Sequence, residues 1–234
     1  MRLYQNSTAL ALIALFIAVF AFTLFADNPK SSNFDDSING NDNLISGNVV
    51  NTRVQLFPAS SKNCSFHLYP GWNMVSFYCF GMFLETAPAM DSISGSYEAI
   101  FSYSPLDVND PWKSYNPYLP SWAVQQLSHV DRVSGYWIYM FNDANFQYPG
   151  VYSDSVFYFS NGWNLVGYPL NHSSNISTQL SGVPYTLVRY YNTSTGTWLF
   201  NVNGGSGNTL KQFDAYKGYW INVSGSPQWN IARS

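Results

Sequence analysis

The residues of this chain that could perform acid–base chemistry are few and lie far apart in sequence. Glutamate occurs only at Glu85 and Glu98. Asp131 and Asp154 are the aspartates that we consider as their partners. Glycoside hydrolysis needs two carboxyl groups that flank one bond, and no motif pairs any of these four acids. A Gly-x-Ser-x-Gly nucleophile element is also missing from the sequence. We predict that the chain is not an enzyme; an enzyme would require two of these acids to face each other across a cleft.

Metal-binding patterns are equally weak. The three histidines, His67, His129 and His172, stand in unrelated contexts without the spacing of a zinc site, which favours structural or surface roles. Residues 107–110, Asp-Val-Asn-Asp, place three oxygen ligands close together. They could help to hold calcium, but no distal glutamate or Gly-containing twelve-residue loop accompanies them. A turn that caps its own backbone is favoured, and we predict neither a metal nor a cofactor.

Aromatic side chains are the remaining candidates for binding. Tyr115, Tyr118 and Trp122 lie in a short segment that also contains Pro117 and Pro120. Rings held by prolines present flat apolar faces at low entropic cost, which suits stacking on sugars or contact with a protein. We therefore predict that the three aromatic residues form a ligand-binding surface. The alternative is that they are a lid over a hydrophobic core.

The elements that would position these residues form an internal duplication. Gly-Trp-Asn-Met-Val-Ser-Phe at 71–77 returns as Gly-Trp-Asn-Leu-Val-Gly-Tyr at 162–168, and Gly-Tyr-Trp-Ile at 135–138 returns at 218–221. Six of the eight tryptophans occupy matched positions, which predicts that they pack in shared cores, whereas Trp122 and Trp229 are unmatched and freer to lie at the surface. Other matches occur in the same order: Tyr97/Tyr185, Tyr103/Tyr191, Trp112/Trp198, Leu127/Leu210 and Asp131/Asp214.

Short apolar and aromatic runs punctuated by Gly, Pro, Asn and Asp indicate antiparallel strands. We predict an all-β fold of two tandem, internally duplicated small antiparallel β modules, sandwich or barrel-like, that follow an N-terminal transmembrane helix. Copy one spans 47–150 and copy two 151–234, and a strand begins near residue 50. The one helical stretch expected is 121–129. The segment 115–122 is extra sequence of copy one, and such an insertion often carries specificity.

The two cysteines are placed to form a disulfide. If residues 66–69 and 74–79 form a hairpin, Cys64 and Cys79 lie opposite each other. Opposed β-carbons are close enough for a bridge, so we predict that the pair is oxidised. The alternative is two free buried thiols.

The N-terminus indicates export. Residues 8–26 contain no charge, follow Arg2 and are long enough to span a bilayer as a helix. Residues 1–26 are thus a retained transmembrane anchor, which we favour, or a cleaved signal peptide. Residues 27–46 are polar and predict a flexible stalk. Both interpretations export the rest of the chain. Asn-x-Ser/Thr acceptor sites, which such composition also produces by chance, occur at Asn63, Asn171, Asn175, Asn192 and Asn222.

Overall composition agrees with an extracellular protein. Charged residues make up only 10% of the chain while aromatic residues reach 18%, so Asn, Ser, Thr and Tyr hydroxyls must keep it soluble. A net charge of −3 without a basic stripe argues against nucleic-acid binding. A pilin-like filament subunit is a further alternative, but no basic-Gly processing site precedes the apolar run.

The motif pair Gly-Trp-Asn and Gly-Tyr-Trp-Ile resembles tandem modules of secreted and surface-anchored archaeal and bacterial proteins, over about residues 64–224. Copy one departs from the pattern at Tyr78, where copy two has Pro169. The resemblance implies an extracellular accessory or adhesive module and no catalytic residues. We expect a membrane-anchored surface protein with a binding or adhesion head for a glycan or a cell-envelope protein. The alternative localisation is secreted.

Overall fold

The computed structural model describes residues 62–150 and 154–232. They form sixteen β-strands, paired antiparallel, and two α-helices of one turn each. No helix in these two ranges is long and apolar enough to cross a bilayer. Copy one contains β1 (Lys62–Leu68), β2 (Gly71–Val75), β3 (Leu84–Glu85), α1 (Thr86–Ala89), β4 (Tyr97–Tyr103), β5 (Trp112–Tyr115), β6 (His129–Val130), β7 (Tyr136–Met140) and β8 (Ala144–Gly150). Copy two contains β9 (Ser155–Tyr158), β10 (Gly162–Gly167), β11 (Ser174–Asn175), α2 (Ile176–Gln179), β12 (Tyr185–Asn192), β13 (Thr197–Val202), β14 (Gln212–Phe213), β15 (Gly218–Val223) and β16 (Gln228–Ile231).

The two copies have the same strand order, which confirms the all-β prediction and the duplication. The sheet of copy one is ordered β2-β7-β4-β5 and that of copy two β10-β15-β12-β13. In each sheet the third strand in this order has a bulge at the matched position, after Tyr97 in β4 and after Tyr185 in β12. The small sheets β3-β6 and β11-β14 also correspond. Both copies belong to one compact unit.

The Gly-Trp-Asn motif builds the turn that opens each sheet. Gly71 and Gly162 have φ angles of +89° and +91°, a conformation that favours glycine. Asn73 donates from its amide to the carbonyls of Tyr69 (2.6 Å) and Gly71 (3.0 Å) and accepts from the Tyr69 N–H. Asn164 makes the equivalent three hydrogen bonds in copy two. The motif is therefore repeated because the same turn must form twice.

The repeated Asp and Tyr residues near the start of β7 and β15 form a second local hydrogen-bonding arrangement. The backbone N–H of Asp131 donates to the Tyr136 hydroxyl at 2.8 Å, and that of Asp214 donates to the Tyr219 hydroxyl at 2.7 Å. Both tyrosines are almost fully buried, and burial raises the pKa of each well above the usual range. Each phenol is a neutral partner for a backbone group that would otherwise lose its hydrogen bond with water.

Two sequence predictions about local structure are wrong. β1 pairs with β8 rather than with β2, so Cys64 lies opposite Tyr148 and not opposite Cys79. Residues 121–129 form turns and a short strand instead of a helix, because the segment returns along β5, where the Leu127 N–H donates to the Ser114 carbonyl. The predicted transmembrane segment, the stalk and the strand near residue 50 lie outside the described residues.

The disulfide itself is present. Cys64 in β1 is bonded to Cys79, which lies in the turn after β2, with the two Cα atoms 5.9 Å apart. Both residues are fully buried. The bridge therefore ties β1, an outer strand of copy one, to the loop that leaves its main sheet.

The two copies meet through matched backbone contacts that relate them by an approximate two-fold axis. Val75 at the end of β2 pairs with Lys217 just before β15. The equivalent residues of the other copy, Val166 and Ser134, pair in the same way. Such a self-complementary contact resembles the isologous interface of a symmetric dimer, here within one chain.

Aromatic side chains fill the space between the copies. The ring of Trp137 lies 5.5 Å from that of Tyr191 and 5.8 Å from that of Trp198. These distances are typical of favourable aromatic pairs. The matched tryptophans thus have matched surroundings, as predicted, but they pack across the junction between the copies. The symmetry-related contacts are those of Trp220 with Tyr103 at 5.0 Å and with Trp112 at 5.8 Å.

Candidate functional site

The loop between β5 and β6 is held in a fixed shape by one side chain. The backbone N–H of Asn116 donates to Oε1 of Gln125 at 3.0 Å, and Nε2 of Gln125 donates to the Asn116 carbonyl at 2.8 Å. At its start, the Tyr118 N–H donates to the Asn116 side chain. Gln125 therefore closes a loop of residues 117–124, which we call the aromatic loop.

Copy two has the same closing device with different contents. Asn208 accepts from the Val202 N–H at 2.8 Å and donates to the Val202 carbonyl at 3.0 Å. Between these two residues lies Asn-Gly-Gly-Ser-Gly at 203–207, whereas the aromatic loop contains Pro-Tyr-Leu-Pro-Ser-Trp-Ala-Val. The scaffold of the loop is thus repeated, and its longer apolar content belongs to copy one alone.

The structure separates the three aromatic residues that the sequence grouped. Trp122 is 82% exposed and Tyr118 57% exposed. The Tyr118 ring lies 5.9 Å from that of Phe141, which is half-exposed after β7. Tyr115 instead ends β5 and packs against the hydrophobic core of copy one. Tyr115 therefore packs as the lid interpretation requires, whereas Tyr118 and Trp122 are exposed, and their binding of a ligand stays a prediction.

Exposed apolar side chains are concentrated on copy one. Of the large hydrophobic residues that are exposed in the described ranges, ten belong to copy one and four to copy two. Several lie within or beside the aromatic loop or in the loop before β5, and sequence reasoning missed them. Single exposed apolar residues leave no motif, so only their neighbours in the fold reveal them. They are Leu106, Val108, Leu119, Val124 and Phe141.

A lysine pairs with both aspartates of residues 107–110, the segment that we considered for calcium and interpreted as a turn. Nζ of Lys113 lies 2.6 Å from Oδ2 of Asp107 and 3.5 Å from Oδ2 of Asp110. The hydrogen bond from Lys113 holds the pKa of the Asp107 carboxyl below its usual range. The Asp110 N–H donates to Asp107 Oδ1, as in a turn that caps its own backbone. Gln126 also donates to Asp110 at 2.6 Å and thereby joins this turn to the chain that follows the aromatic loop.

The four acids considered as partners in catalysis lie in different surroundings. Asp131 uses Oδ1 to accept from the backbone N–H groups of Val133 and Ser134, which fixes the turn before β7. Glu98 is buried at the bulge of β4, its Oε2 has no hydrogen-bond partner, and burial raises the pKa of its carboxyl. Glu85 and Asp154 are exposed.

The histidines contact residues next to them in the fold. Nδ1 of His67 lies 3.0 Å from Oδ1 of Asn145 on the paired strand β8. Nδ1 of His129 lies 2.9 Å from the Ser128 hydroxyl, and His172 is exposed beside Asn171. Within residues 62–150 and 154–232, no cluster of three or more His, Cys, Asp or Glu side chains could hold a metal ion.

The acceptor asparagines differ in accessibility. Asn171 and Asn175 are exposed, and Asn192 and Asn222 are partly buried. Asn175 caps α2, where Oδ1 accepts from the Ser177 N–H at 2.9 Å. Asn63 lies in β1 opposite Pro149. Modification of these five residues stays a prediction.

Trp229 has no matched residue in copy one, and we therefore expected it to be freer to lie at the surface. It is buried, so this expectation is wrong. Its Nε1 donates to the Gln179 carbonyl at 2.7 Å, and its ring packs against Phe157 and Phe159. A tryptophan can therefore cover the outer side of one copy without a counterpart in the other.

Comparison of the chain with protein-family models, curated proteins and solved structures found no match. The resemblance carried by the Gly-Trp-Asn and Gly-Tyr-Trp-Ile motifs therefore stays a prediction.

Proposed function

We propose that this chain is a membrane-anchored extracellular surface protein with a non-catalytic head that binds a glycan or a protein of the cell envelope. The head consists of two sandwich-like β modules joined by the tryptophan-lined junction. Its binding surface is the aromatic loop of copy one. A secreted glycan-active enzyme and a pilin-like filament subunit are the alternatives.

The observation that carries this proposal is the exposed tryptophan on a fixed loop. Trp122 is 82% exposed although an indole ring is among the side chains most stabilised by burial. Gln125 holds the loop at both ends, so little conformational entropy is lost when a ligand contacts the rings. The matched loop of copy two has no aromatic residue, which indicates that the fold does not require one there.

The extracellular location rests on the sequence and on the disulfide. Residues 8–26 are uncharged and long enough to cross a bilayer. Disulfides persist in oxidising compartments outside the cytosol, and Cys64 and Cys79 form one. The two features support export independently of each other.

Binding is tested with the full chain, purified in a detergent without a sugar headgroup, on an array of envelope glycans and on isolated cell-envelope fragments. Replacing Tyr118 and Trp122 together by Ala is expected to weaken binding at least tenfold. Aromatic stacking is worth about 1–3 kcal/mol per ring where it has been measured on nucleic-acid bases, and about 1.4 kcal/mol corresponds to tenfold. Replacing residues 117–124 by the copy-two sequence of 203–207 is expected to have the same effect.

Tyr158→Ala is the matched control, because Tyr158 is 76% exposed on copy two and lies outside the aromatic loop. It should leave binding unchanged. Melting temperatures of all variants separate binding from packing. If the double variant melts several degrees lower and binds as well as the wild type, its rings are a core lid and the proposed surface is wrong.

The anchor is tested by fractionation of cells that produce the full chain. We expect the protein to stay with the membranes in high salt and alkaline carbonate and to be released by detergent, since about 20 apolar residues suffice for a stable span. N-terminal sequencing of the mature protein is the second measurement. A sequence that begins at Asp27, with the protein in the medium, would show a cleaved signal peptide and a secreted head.

A further inference from the structure

A groove of about 360 Å³ lies where the two copies meet, away from the aromatic loop. Its walls come from β1 and β2 of copy one and from the end of β12 and the segment before β15 of copy two. This volume is within the range of small-molecule sites, roughly 300–1,000 Å³. The groove therefore exists only because the copies are joined.

The approximate two-fold axis does not produce a second groove with the same lining side chains. Tyr190, Tyr216 and Lys217 line it. The positions of copy one that match them in the repeat carry smaller side chains, namely Ser102, Val133 and Ser134. Copy two has thus acquired two phenol rings and an ammonium group on one side of the junction. The duplication alone does not require them.

Tyr190 contributes a largely buried phenol ring to the groove, and its hydroxyl is the part of the residue that a ligand could bind. The residue is only 8% exposed and lines the groove. Among the described residues none forms a hydrogen bond with its hydroxyl, and that oxygen is not sealed from solvent. Burial raises the pKa of Tyr190 to about 12, so the group is a neutral donor and acceptor at neutral pH. Water can reach this hydroxyl when the groove is empty, and a ligand hydroxyl can take the place of that water.

The other walls combine ring faces with amide and hydroxyl groups. Tyr69 is half-exposed at the rim, and its ring meets that of His67 edge-on at 4.6 Å. The Tyr216 ring packs at 4.6 Å from Phe66. Asn192 uses Oδ1 to accept from Ser194, which leaves its amide N–H groups for another acceptor. Apolar ring faces beside amide and hydroxyl groups suit a ligand that has both carbon faces and hydroxyls.

The charged groups in the groove favour a neutral ligand over an ionic one. Among the described residues that line the groove, Lys217 is the only Lys, Arg, Asp or Glu. Its Nζ is already paired with Oδ2 of Asp214 at 2.8 Å and lies 4.6 Å from the centre of the Tyr190 ring. A compensated cation offers little net attraction to an anion.

We propose that this groove is a second binding site, specific for a neutral saccharide of one or two rings, in which the Tyr190 hydroxyl bonds a sugar hydroxyl. The saccharide can come from an external glycan or from a chain attached to this protein at Asn192, which itself lines the groove. The site is independent of the aromatic loop and of the proposed function.

The test uses the full chain from a host without N-glycosylation, in a detergent without a sugar headgroup. Four neutral probes, the methyl glycosides of glucose, galactose, mannose and N-acetylglucosamine, are examined by saturation-transfer NMR. We expect at least one to bind, and Tyr190→Phe to weaken it about fivefold, the effect of one lost hydrogen bond. Tyr158→Phe removes an exposed hydroxyl outside the groove and should bind as the wild type does.

Two further experiments identify which site binds the glycosides and where the natural saccharide comes from. Binding should persist in the Tyr118→Ala/Trp122→Ala variant, because the signal comes from the groove. The same probes are then tested on protein from a glycosylating host. If free glycosides bind Ser194→Ala but not the wild type, the glycan attached at Asn192 fills the groove.

Three outcomes would overturn the proposal. The first is that none of the four glycosides receives saturation. The second is that Tyr190→Phe binds as tightly as the wild type with an unchanged melting temperature. The third is that inorganic phosphate binds instead of the glycosides and that Lys217→Gln abolishes phosphate binding.

Discussion

Replacing Gly218 by Ala is expected to lower the free energy of unfolding by about 2–3 kcal/mol, near the upper part of the range for overpacked cores. A β-carbon at Gly218 would lie 2.6 Å from the carbonyl oxygen of Val75 and 3.2 Å from its carbonyl carbon. Both are backbone atoms of the other copy, so no side chain can rotate away to make room. The two sheets would have to separate at the point where Val75 and Lys217 pair.

The approximate two-fold axis provides a second, matched substitution. A β-carbon at Gly135 would lie 2.7 Å from the Val166 carbonyl oxygen and 2.9 Å from the Leu165 side chain. Gly135→Ala should therefore destabilise the protein to a similar extent. The control is Gly207→Ala, because a β-carbon there meets no atom within 4 Å.

Denaturant unfolding of the full chain measures these differences. For a domain of this size each 1 kcal/mol corresponds to about 2–4 °C in melting temperature. Equal stability of Gly218→Ala and Gly207→Ala would contradict the close approach of the two copies.

Removing the disulfide by the double substitution Cys64→Ala/Cys79→Ala is expected to cost about 3 kcal/mol. The bridge closes a loop with a sequence separation of 15, and this loop contains the whole Gly-Trp-Asn turn and β2. In the chain-entropy model the bridge acts on the unfolded state, which regains freedom when the link is lost. The loss of two buried sulfur atoms from the core of copy one adds to the effect.

Reduction of the wild-type protein is the matched experiment. Wild type measured with a strong reductant should lose most of the stability that the double variant loses and remain slightly more stable than it, because reduction keeps both buried sulfur atoms. The double variant should not respond to the reductant. Intact mass after alkylation reports the state of both thiols. A wild type that labels at both cysteines without unfolding would contradict the bridge.

The duplication offers a physical reason why the two proposed binding sites lie where the copies differ. The junction between the copies uses matched groups, the glycines of Gly-Tyr-Trp and the tryptophans that follow them two residues later, because both sides must fit the same partner. Loops and rims face solvent and carry no such constraint. The aromatic loop in copy one and the Tyr190 groove in copy two are both at positions where the copies differ.

The sequence by itself determined the class of the fold and the presence of a repeat. Local chemistry carries both: glycine at positive φ and Asn73 closing the turn act within a few residues, and period and punctuation identify strands. The sequence also predicted the cysteine pair, although from a hairpin that does not form. The prediction that Trp122 and Tyr118 lie at the surface followed from their lack of a counterpart. The same argument was wrong for Trp229, because an unmatched residue can fill a gap that only one copy has.

Only the tertiary structure decided which strands pair and which surfaces face each other. β1 leads directly into the turn that opens β2, yet it pairs with β8, more than 70 residues away in sequence. Pairing of this kind is a long-range choice: it depends on how much apolar surface each arrangement buries, and the local sequence does not encode that sum. The contacts of Trp137 and Trp220 across the junction, and the groove lined by Tyr190, come from the same cause. They are properties of two copies packed together, and neither copy contains them alone.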